Sequence, residues 1–424
     1  MTGETTTASE RHIGSRSVGL WVLLLTVFIN LVGFGLIVPL LPFFAQSLQA
    51  EPWQITLMFS AYSLGQFFAE PFWGRLSDRI GRKPVLIATT AFNVAGYLML
   101  AFAPNIWVAM AVRLFTGLGA GNISTVQGYV ADVTPPERRA GRMGLIGGAF
   151  GLGFIVGPGL GGELTRFGIQ APIFAAAGMA ALSCLGVIFF LRESRVLDAP
   201  GTARPNFLSG VKDARANPVI GRVLLVTLIY MAAFSGMEST FGLWAEALHD
   251  WGPKEVGRAF MVIGLVSAIC QALISGRLAK RFGEARVLAF GMGLFGASLL
   301  VQTTISDGRL IPVAMAFGAF GMALAMPNIS ALISRSTSPD RQGAVLGLNM
   351  ATGSLARMAG PIVAGFTFSA LGPNAPYVTG GLLVIPAILL ALDAGRVFRR
   401  IEGERAAAPA SPPAAGADEA VQTV

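Results

Sequence analysis

Twelve apolar runs, each long enough to cross a bilayer, are separated along this chain by short clusters of charge. They fall at about 18–44, 54–73, 84–104, 106–131, 142–164, 170–191, 219–246, 256–275, 286–305, 309–334, 343–370 and 375–396. A bilayer core takes about 20 consecutive apolar residues as a helix. Composition points the same way: 53% of residues are hydrophobic and 13% charged, against roughly 25% charged in soluble domains, and the mean hydropathy is +0.64. So little polar surface cannot cover a water-soluble globule. Cys184 and Cys270 both lie inside apolar runs and offer no disulfide framework. Two His and two Cys also leave almost nothing for a zinc or haem site, so no metal and no cofactor is expected. The fold class read from these features is all-α integral membrane, with twelve transmembrane helices.

The basic residues orient that chain. Of 31 Lys and Arg, 24 fall in the N-terminal tail, the loops after even-numbered runs and the C-terminal tail. Three (Arg166, Lys254 and Arg309) fall in the loops after odd-numbered runs, and Arg113, Arg222, Arg258 and Arg357 lie within or at the edges of runs. Cytoplasmic loops carry the excess of Lys and Arg, which predicts both termini in the cytoplasm and a multi-pass protein of the inner membrane. The net charge of +8 is spread along that face, so no nucleic-acid partner is implied. The first run is too long for a cleavable secretory signal and lacks a small-residue cleavage site.

The chain also repeats. GRLSDRIGRKPVL at 74–86 matches GRLAKRFGEARVL at 276–288, an offset of 202. TPPERRAG at 134–141 matches TSPDRQGA at 337–344, and Gly157-Pro158 matches Gly360-Pro361, both at 203. Asn122-Ile123-Ser124 recurs as Asn328-Ile329-Ser330 at 206. Matches in one order at similar offsets indicate duplication. The organisation predicted is a cytoplasmic tail 1–17, a six-helix bundle 18–191, a cytoplasmic linker 192–218, a second bundle 219–397 and a disordered tail 398–424. Two parallel repeats place a binding site near the midplane between them, which is a transporter architecture.

The 2–3 loop, Gly74-Arg75-Leu76-Ser77-Asp78-Arg79-Ile80-Gly81-Arg82-Lys83-Pro84, resembles the signature loop of the major facilitator superfamily. Arg113 to Gly121 resembles that family's span-4 arginine motif, and Gly153 to Gly162 is similar to the span-5 motif of drug/proton antiporters. Gly33 to Pro42 looks like span 1 of the twelve-span antiporters, tetracycline/proton exchangers among them. The resemblance implies two pseudo-symmetric six-helix bundles working by alternating access. It implies a gating role for the 2–3 loop, with Gly74, Asp78, Arg79, Gly81 and Arg82, and an exporter for the span-5 motif.

The residues support those roles on their own terms. Asp78 is one carboxylate among four cations in a Gly-bounded loop; it can pair with Arg and accept from a neighbouring helix N-terminus, as a latch. The second copy has Lys280 in its place, so a latch there must differ. Gly157, Pro158 and Gly161 read equally as a small-residue packing face and as a hinge. Ionisable groups within spans are costly and usually face a cavity or a partner, which selects Arg113, Glu238 and Arg357. Glu238 and Arg357 read equally as a structural ion pair and as a coupling pair. Burial favours the protonated form of a carboxylate and a nearby Arg restores the charged form, so Glu238 is the expected proton-coupling group. Tetracycline exchangers carry acids where this chain has Asn30 and Gly96, a departure that points away from tetracycline and moves coupling to another residue.

If spans 1, 4, 7 and 10 line the cavity, its polar residues are Asn30, Asn122, Gln127, Tyr230 and Asn328 beside Glu238. Sparse polar groups in an apolar pocket suit amphiphilic organic solutes. No nucleophile–base constellation for an enzyme and no phosphate-binding loop for ATP is present. The function expected is proton-coupled efflux of small organic compounds or drugs, as in antibiotic resistance, by a chain complete as a monomer. The alternative is an uptake or facilitative carrier for a small metabolite on the same fold.

Overall fold

The structure, a computed structural model, describes residues 4–194, 207–338 and 341–407. Span 1 is Glu4–Ile37, continued after the 3-10 turn Val38–Leu40 by Leu41–Ser47. Span 2 is Pro52–Ile80, span 3 Arg82–Ala101, span 4 Ile106–Gly119 with Ile123–Val133, span 5 Pro136–Leu164 and span 6 Ala171–Phe190. A short helix, Phe207–Ala216, precedes span 7, Pro218–His249. Span 8 is Pro253–Cys270, the π-turn Gln271–Ser275 and Gly276–Phe282. Span 9 is Glu284–Gln302, span 10 Ile311–Arg335, span 11 Gln342–Leu371 and span 12 Ala375–Ala407. Eleven of the twelve are long and apolar enough to cross a membrane. The other, span 2, has 29 residues, about 43 Å at ~1.5 Å per residue; Glu70 and the charged stretch at its end make it less apolar.

Local chemistry sets the ends. Asn105 and Asn217 cap spans 4 and 7 by accepting from the Val108 and Val219 N–H, each at 3.0 Å. The stretch 74–84, expected as a loop, is helical up to Ile80, and Gly81 alone connects it to span 3. Gly81 has φ +101 and its repeat counterpart Gly283 has φ +84. That left-handed region costs a residue without Cβ little, so one glycine reverses the chain in each half.

Four other expectations need adjusting. Span 4, read as one run over 106–131, breaks at Ala120–Asn122. A Cβ at Gly121 would stand 2.7 Å from Ala69 and Glu70 backbone atoms, so the break lets spans 2 and 4 approach closely. The tail expected to be disordered from 398 continues span 12 to Ala407, and 408–424 lie outside the described residues. The 192–218 linker contains the helix Phe207–Ala216, while 195–206 lie outside the described residues. The N-terminal stretch read as a polar tail is helical from Glu4.

Each half has its own core. Spans 1, 2, 3, 4 and 6 bury Leu36, Ile55, Met58, Leu100, Ala109 and Ala176 together. Spans 7 to 12 bury Val223, Phe241, Met292, Ile333, Val345 and Tyr377. The halves meet along two seams, span 5 against span 8 and span 2 against span 11. These pairs exchange places under the repeat, as a two-fold along the membrane normal requires.

Candidate substrate and coupling site

The face at which the described residues begin at Glu4 and end at Ala407, and which carries most Lys and Arg, is called here the basic face, and the opposite one the far face. Both seams are closed towards the far face. Gly264 lies against span 5, where a Cβ would stand 2.7 Å from the Phe154 carbonyl oxygen, and Gly162 lies against Pro253 and Lys254 at 3.0 to 3.1 Å. Across the other seam, Ser60 Oγ donates to the Met358 carbonyl at 2.8 Å, and Gly365 packs on Thr56. Far-face polar contacts join the halves as well. Glu163 pairs with Lys254 at 3.2 Å and Arg258 at 3.0 Å, and Gln46 donates to Glu246 at 2.5 Å. Towards the basic face the seams part. Gly141, Gly144, Gly147 and Gly148 on span 5 and Gly347 on span 11 have no atom within 4 Å of a Cβ position. The ion pairs of Arg82 with Asp78 and Asp132, of Arg335 with Glu284 and Glu402, and of Arg222 with Asp393 there each stay within one half. The result is a vestibule open to the basic face.

At its inner end lie charges from both halves. Arg113 of span 4 is 2% exposed, and its guanidinium carbon stands 4.2 Å over the Tyr62 ring of span 2. Its Nε has no hydrogen-bond partner. Tyr62 continues into an aromatic wall, 5.7 Å from Phe34, which stands 6.3 Å from Phe154 of span 5. From the other half, Glu238 lies in the field of Arg357 and Arg113. Arg357 adjoins Met358, the span-11 residue that accepts from Ser60, and reaches Ser354 Oγ at 3.4 Å. Glu238 makes no ion pair within 4.0 Å among the described residues, and neither does Glu70, which also feels Arg357. Each half thus supplies one guanidinium and one carboxylate to an interior place where neither carboxylate is neutralised by contact.

Three residues expected in the cavity, Asn30, Tyr230 and Asn328, are turned into the packing of their own half. Asn30 is turned to span 6, donating to Ser183 Oγ at 2.6 Å and to the Thr26 carbonyl at 3.2 Å. Tyr230 is fully buried in the second core, edge-on to Phe295 at 5.6 Å. Asn328 is 1% exposed and donates to the Leu324 carbonyl at 2.7 Å, in the turn before Pro327. Asn122 sits at the break in span 4, and Gln127 is exposed beyond it. Gly96 lies against Thr116, which leaves no room for a carboxylate on span 3 there. A spanning helix that is apolar nearly all round hides which face turns inward, so these assignments needed coordinates. Glu70 on span 2 lies ten residues before Ile80. That is about 15 Å from the helix end at ~1.5 Å per residue, within the cluster.

At the basic face, Arg82 is the centre of a buried network. Its guanidinium pairs with Asp78 at 2.8 Å and Asp132 of span 4 at 3.0 Å, and donates to Ser77 Oγ at 2.7 Å. Gly128 leaves room for it; a Cβ there would stand 2.6 Å from the guanidinium carbon. The acceptor at the start of span 3 is Glu193, not Asp78: its carboxylate takes the Arg82 and Lys83 N–H at 2.8 and 3.0 Å. Gly74 is buried, and Arg79 closes the last turn of span 2. Residues 82 and 132 match 284 and 335 at the repeat offsets. There Glu284 pairs with Arg335 at 2.7 Å, the same bridge with its charges exchanged. Asp132 and Glu193 lie outside the motif and were not singled out from sequence; the pairing of 132 with 335 at the repeat offset was the available signal.

Gly157 and Gly161 pack within the first half, against Gly35 and Leu36 of span 1, and Pro158 presents its carbonyl to Gly257 of span 8. Among the described residues no group of three His, Cys, Asp or Glu is arranged to hold a metal ion.

The family model of the Major Facilitator Superfamily matches residues 23–275 and 239–418. The chain belongs to the Major Facilitator Superfamily. It is 30% identical over 354 residues to the class C tetracycline resistance protein of Escherichia coli, covering 81% of this chain and 87% of that protein. It is 27% identical over 378 residues to multidrug resistance protein 2 of Bacillus subtilis (strain 168), with 88% and 94% covered. Among solved structures, the human organic anion transporter MFSD10 (TETRAN) superposes with a TM-score of 0.68 at 26% identity, over 89% of this chain and 99% of that one. As a member of this superfamily the chain is a multi-pass membrane transporter rather than an enzyme, with drug-efflux proteins among its relatives.

Proposed function

We propose that this facilitator is a proton-coupled exporter of small amphiphilic organic compounds, working by alternating access with Glu238 as the coupling carboxylate. The observation that carries the proposal is Glu238 itself: interior, facing Arg357 and Arg113, and in contact ion pair with neither. A carboxylate so placed can exchange a proton, and a cationic or polar solute entering between the two arginines competes with that proton for it. The excess of Lys and Arg reads the basic face as cytoplasmic, so the vestibule faces inward, where an exporter loads. The aromatic wall of Phe34, Tyr62 and Phe154 suits flat apolar solutes, and the resistance proteins named above lend drugs as the substrate class. The positions where a tetracycline exchanger carries acids are taken here by Asn30, bonded to span 6, and by Gly96, covered by Thr116. A substrate other than tetracycline follows. Cytoplasmic termini, the inner membrane and function as a monomer belong to the same reading.

The test is flux in proteoliposomes under an imposed pH gradient. Glu238→Gln keeps the shape of the protonated side chain and removes its titration. Uphill export should be lost while downhill exchange persists. Undiminished uphill export by Glu238→Gln refutes the assignment and moves coupling to Glu70. Indifference of wild-type flux to the gradient favours a facilitative carrier.

A further inference from the structure

At the basic face, between spans 9 and 12, a cavity of about 190 Å³ is lined by Ala285, Arg286, Leu392, Gly395, Arg396 and Arg399. Ala285 and Gly395 bring the two helices into contact at its floor. The three arginines around it are exposed and make no ion pair among the described residues. Every carboxylate of the two helices near the cavity is already committed: Glu284 and Glu402 to Arg335, Asp393 to Arg222, and Glu404 to Arg400. Three guanidinium groups thus converge on one concavity with no carboxylate among the described residues left to meet them. Each has a donor fork that fits a phosphate oxygen pair.

The surface adjoining the cavity is apolar. On span 12, Leu382, Ile385, Leu389, Leu392, Arg396 and Arg399 follow one another at alternating steps of three and four, which is one face of a helix. Leu389 on that face is 63% exposed, and Phe290, one turn beyond Arg286 on span 9, is 58% exposed. The arginines therefore cap an outward apolar stripe on both helices, at the level where acyl chains give way to headgroups.

We propose that this cavity binds the phosphate of an anionic phospholipid in the leaflet at the basic face, with an acyl chain along Phe290 and Leu389. A basic residue near an anionic headgroup contributes roughly fivefold in affinity, and basic pockets between spanning helices suit such headgroups. A soluble phosphate could satisfy the guanidinium groups but would leave the adjoining stripe unused, so the lipid is the source inferred. The site is wholly within the second half and away from both seams, so it stands whether or not Glu238 couples protons.

The full chain in detergent, examined by native mass spectrometry with phosphatidylglycerol or phosphatidylcholine added, tests the site. Wild type should retain one phosphatidylglycerol with a preference of about tenfold to a hundredfold over phosphatidylcholine, since three arginines at roughly fivefold each compound to about a hundredfold. The combined Arg286→Gln, Arg396→Gln, Arg399→Gln variant should lose that preference, and Arg396→Gln alone should reduce it by roughly fivefold. If the triple variant fails to give monodisperse helical protein, the single variant decides. Arg400→Gln, outside the cavity and paired with Glu404, changes the net charge equally and should leave the preference intact. An equal loss with Arg400→Gln, or no loss with Arg396→Gln, overturns the site. Displacement of the lipid by glycerol 3-phosphate at equal concentration overturns the lipid as its occupant.

Discussion

The exchanged bridge at the basic face can be exchanged again. In the first half Arg82 pairs with Asp132 and, across the Gly81 reversal, with Asp78 at the end of span 2. In the second half Glu284 pairs with Arg335, and Lys280 stands four residues before it, at the end of span 8 across the Gly283 reversal. Lys280 occupies the position of Asp78, and the charge logic explains it: an acid there would bring a like charge to Glu284 across the reversal and repel it. The two halves therefore hold one arrangement in opposite polarity. The side chain of Arg82 is 5% exposed, against 23% and 26% for Asp78 and Asp132, so its removal takes away the buried cation that the two acids share. Charge-assisted bonds of this kind are worth about 1.5–3 kcal/mol each. Solvent reaching the acids lowers that, so Arg82→Ala should cost about 2–4 kcal/mol in all.

Arg82→Glu alone should cost more, because three acids then crowd one site. Adding Asp132→Arg and Asp78→Lys reproduces the polarity of the second half. The triple exchange should recover about 1–3 kcal/mol relative to Arg82→Glu, the range of coupling between contacting charges. Recovery is incomplete, since Glu193 stays bound to the backbone at residues 82 and 83 and repels the introduced acid. Thermal unfolding of the detergent-solubilised protein, followed by the loss of its monodisperse chromatographic peak, reads the series. A triple exchange no more stable than Arg82→Glu would show that the bridge is not the shared unit of the two halves.

Two further perturbations separate local roles. Arg113→Lys keeps a cation but loses the planar face over Tyr62, a contact worth about 0.5–2 kcal/mol; efflux from cells lacking their own exporters should fall, and normal efflux by both Arg113→Lys and Arg113→Ala would remove Arg113 from the site. Gly157→Ala pushes a methyl towards Gly35 and should cost the first half about 1–3 kcal/mol in thermal stability, whereas Gly162→Ala meets the second half and should instead raise labelling of a far-face cysteine. Equal effects of both substitutions on both measurements would contradict the division of span 5 into two packing faces.

The twelve spans, the duplication and the family were legible in the sequence because each rests on a pattern tens of residues long. Apolar runs of bilayer length survive errors of several residues at their ends, and so does a repeat read at offsets of 202 and 203. What failed was local. Gly81 reads as part of a loop in the sequence, although one glycine at positive φ is enough to join two helices. Span 2 therefore runs to Ile80 rather than to 73, which sets Glu70 well inside it. Tyr62 went unremarked, since an aromatic in an apolar run reads as core until its ring is found beneath a guanidinium. Asn30 and Tyr230 were assigned to the cavity by the number of their span, but the direction of a side chain depends on helix rotation. In a membrane helix, apolar on nearly every face, hydropathy does not report that rotation.

Span 5 shows what the coordinates add to a motif. Its glycines form two ridges rather than one. Gly153, Gly157 and Gly161 pack on Leu31, Gly35 and Leu36 of span 1, in the same half. Gly159 and Gly162 turn to Met261, Pro253 and Lys254 of span 8, in the other half. The first ridge has the close backbone contact that lets a bundle move as one body. The second belongs to a seam that opens in the alternating access proposed above, and its outer end is held by Glu163 with Lys254 and Arg258, groups 43% to 58% exposed. Exposed pairs of this kind are readily exchanged for water, which suits a contact made in one state and absent in the other. Pro158 stands between the ridges and offers Gly257 the carbonyl beside which span 8 passes. Of the two readings of Gly157, Pro158 and Gly161, the packing face is the one whose contacts the structure displays, along span 1, while Gly159 and Gly162 on the opposite side of the same helix meet the other half.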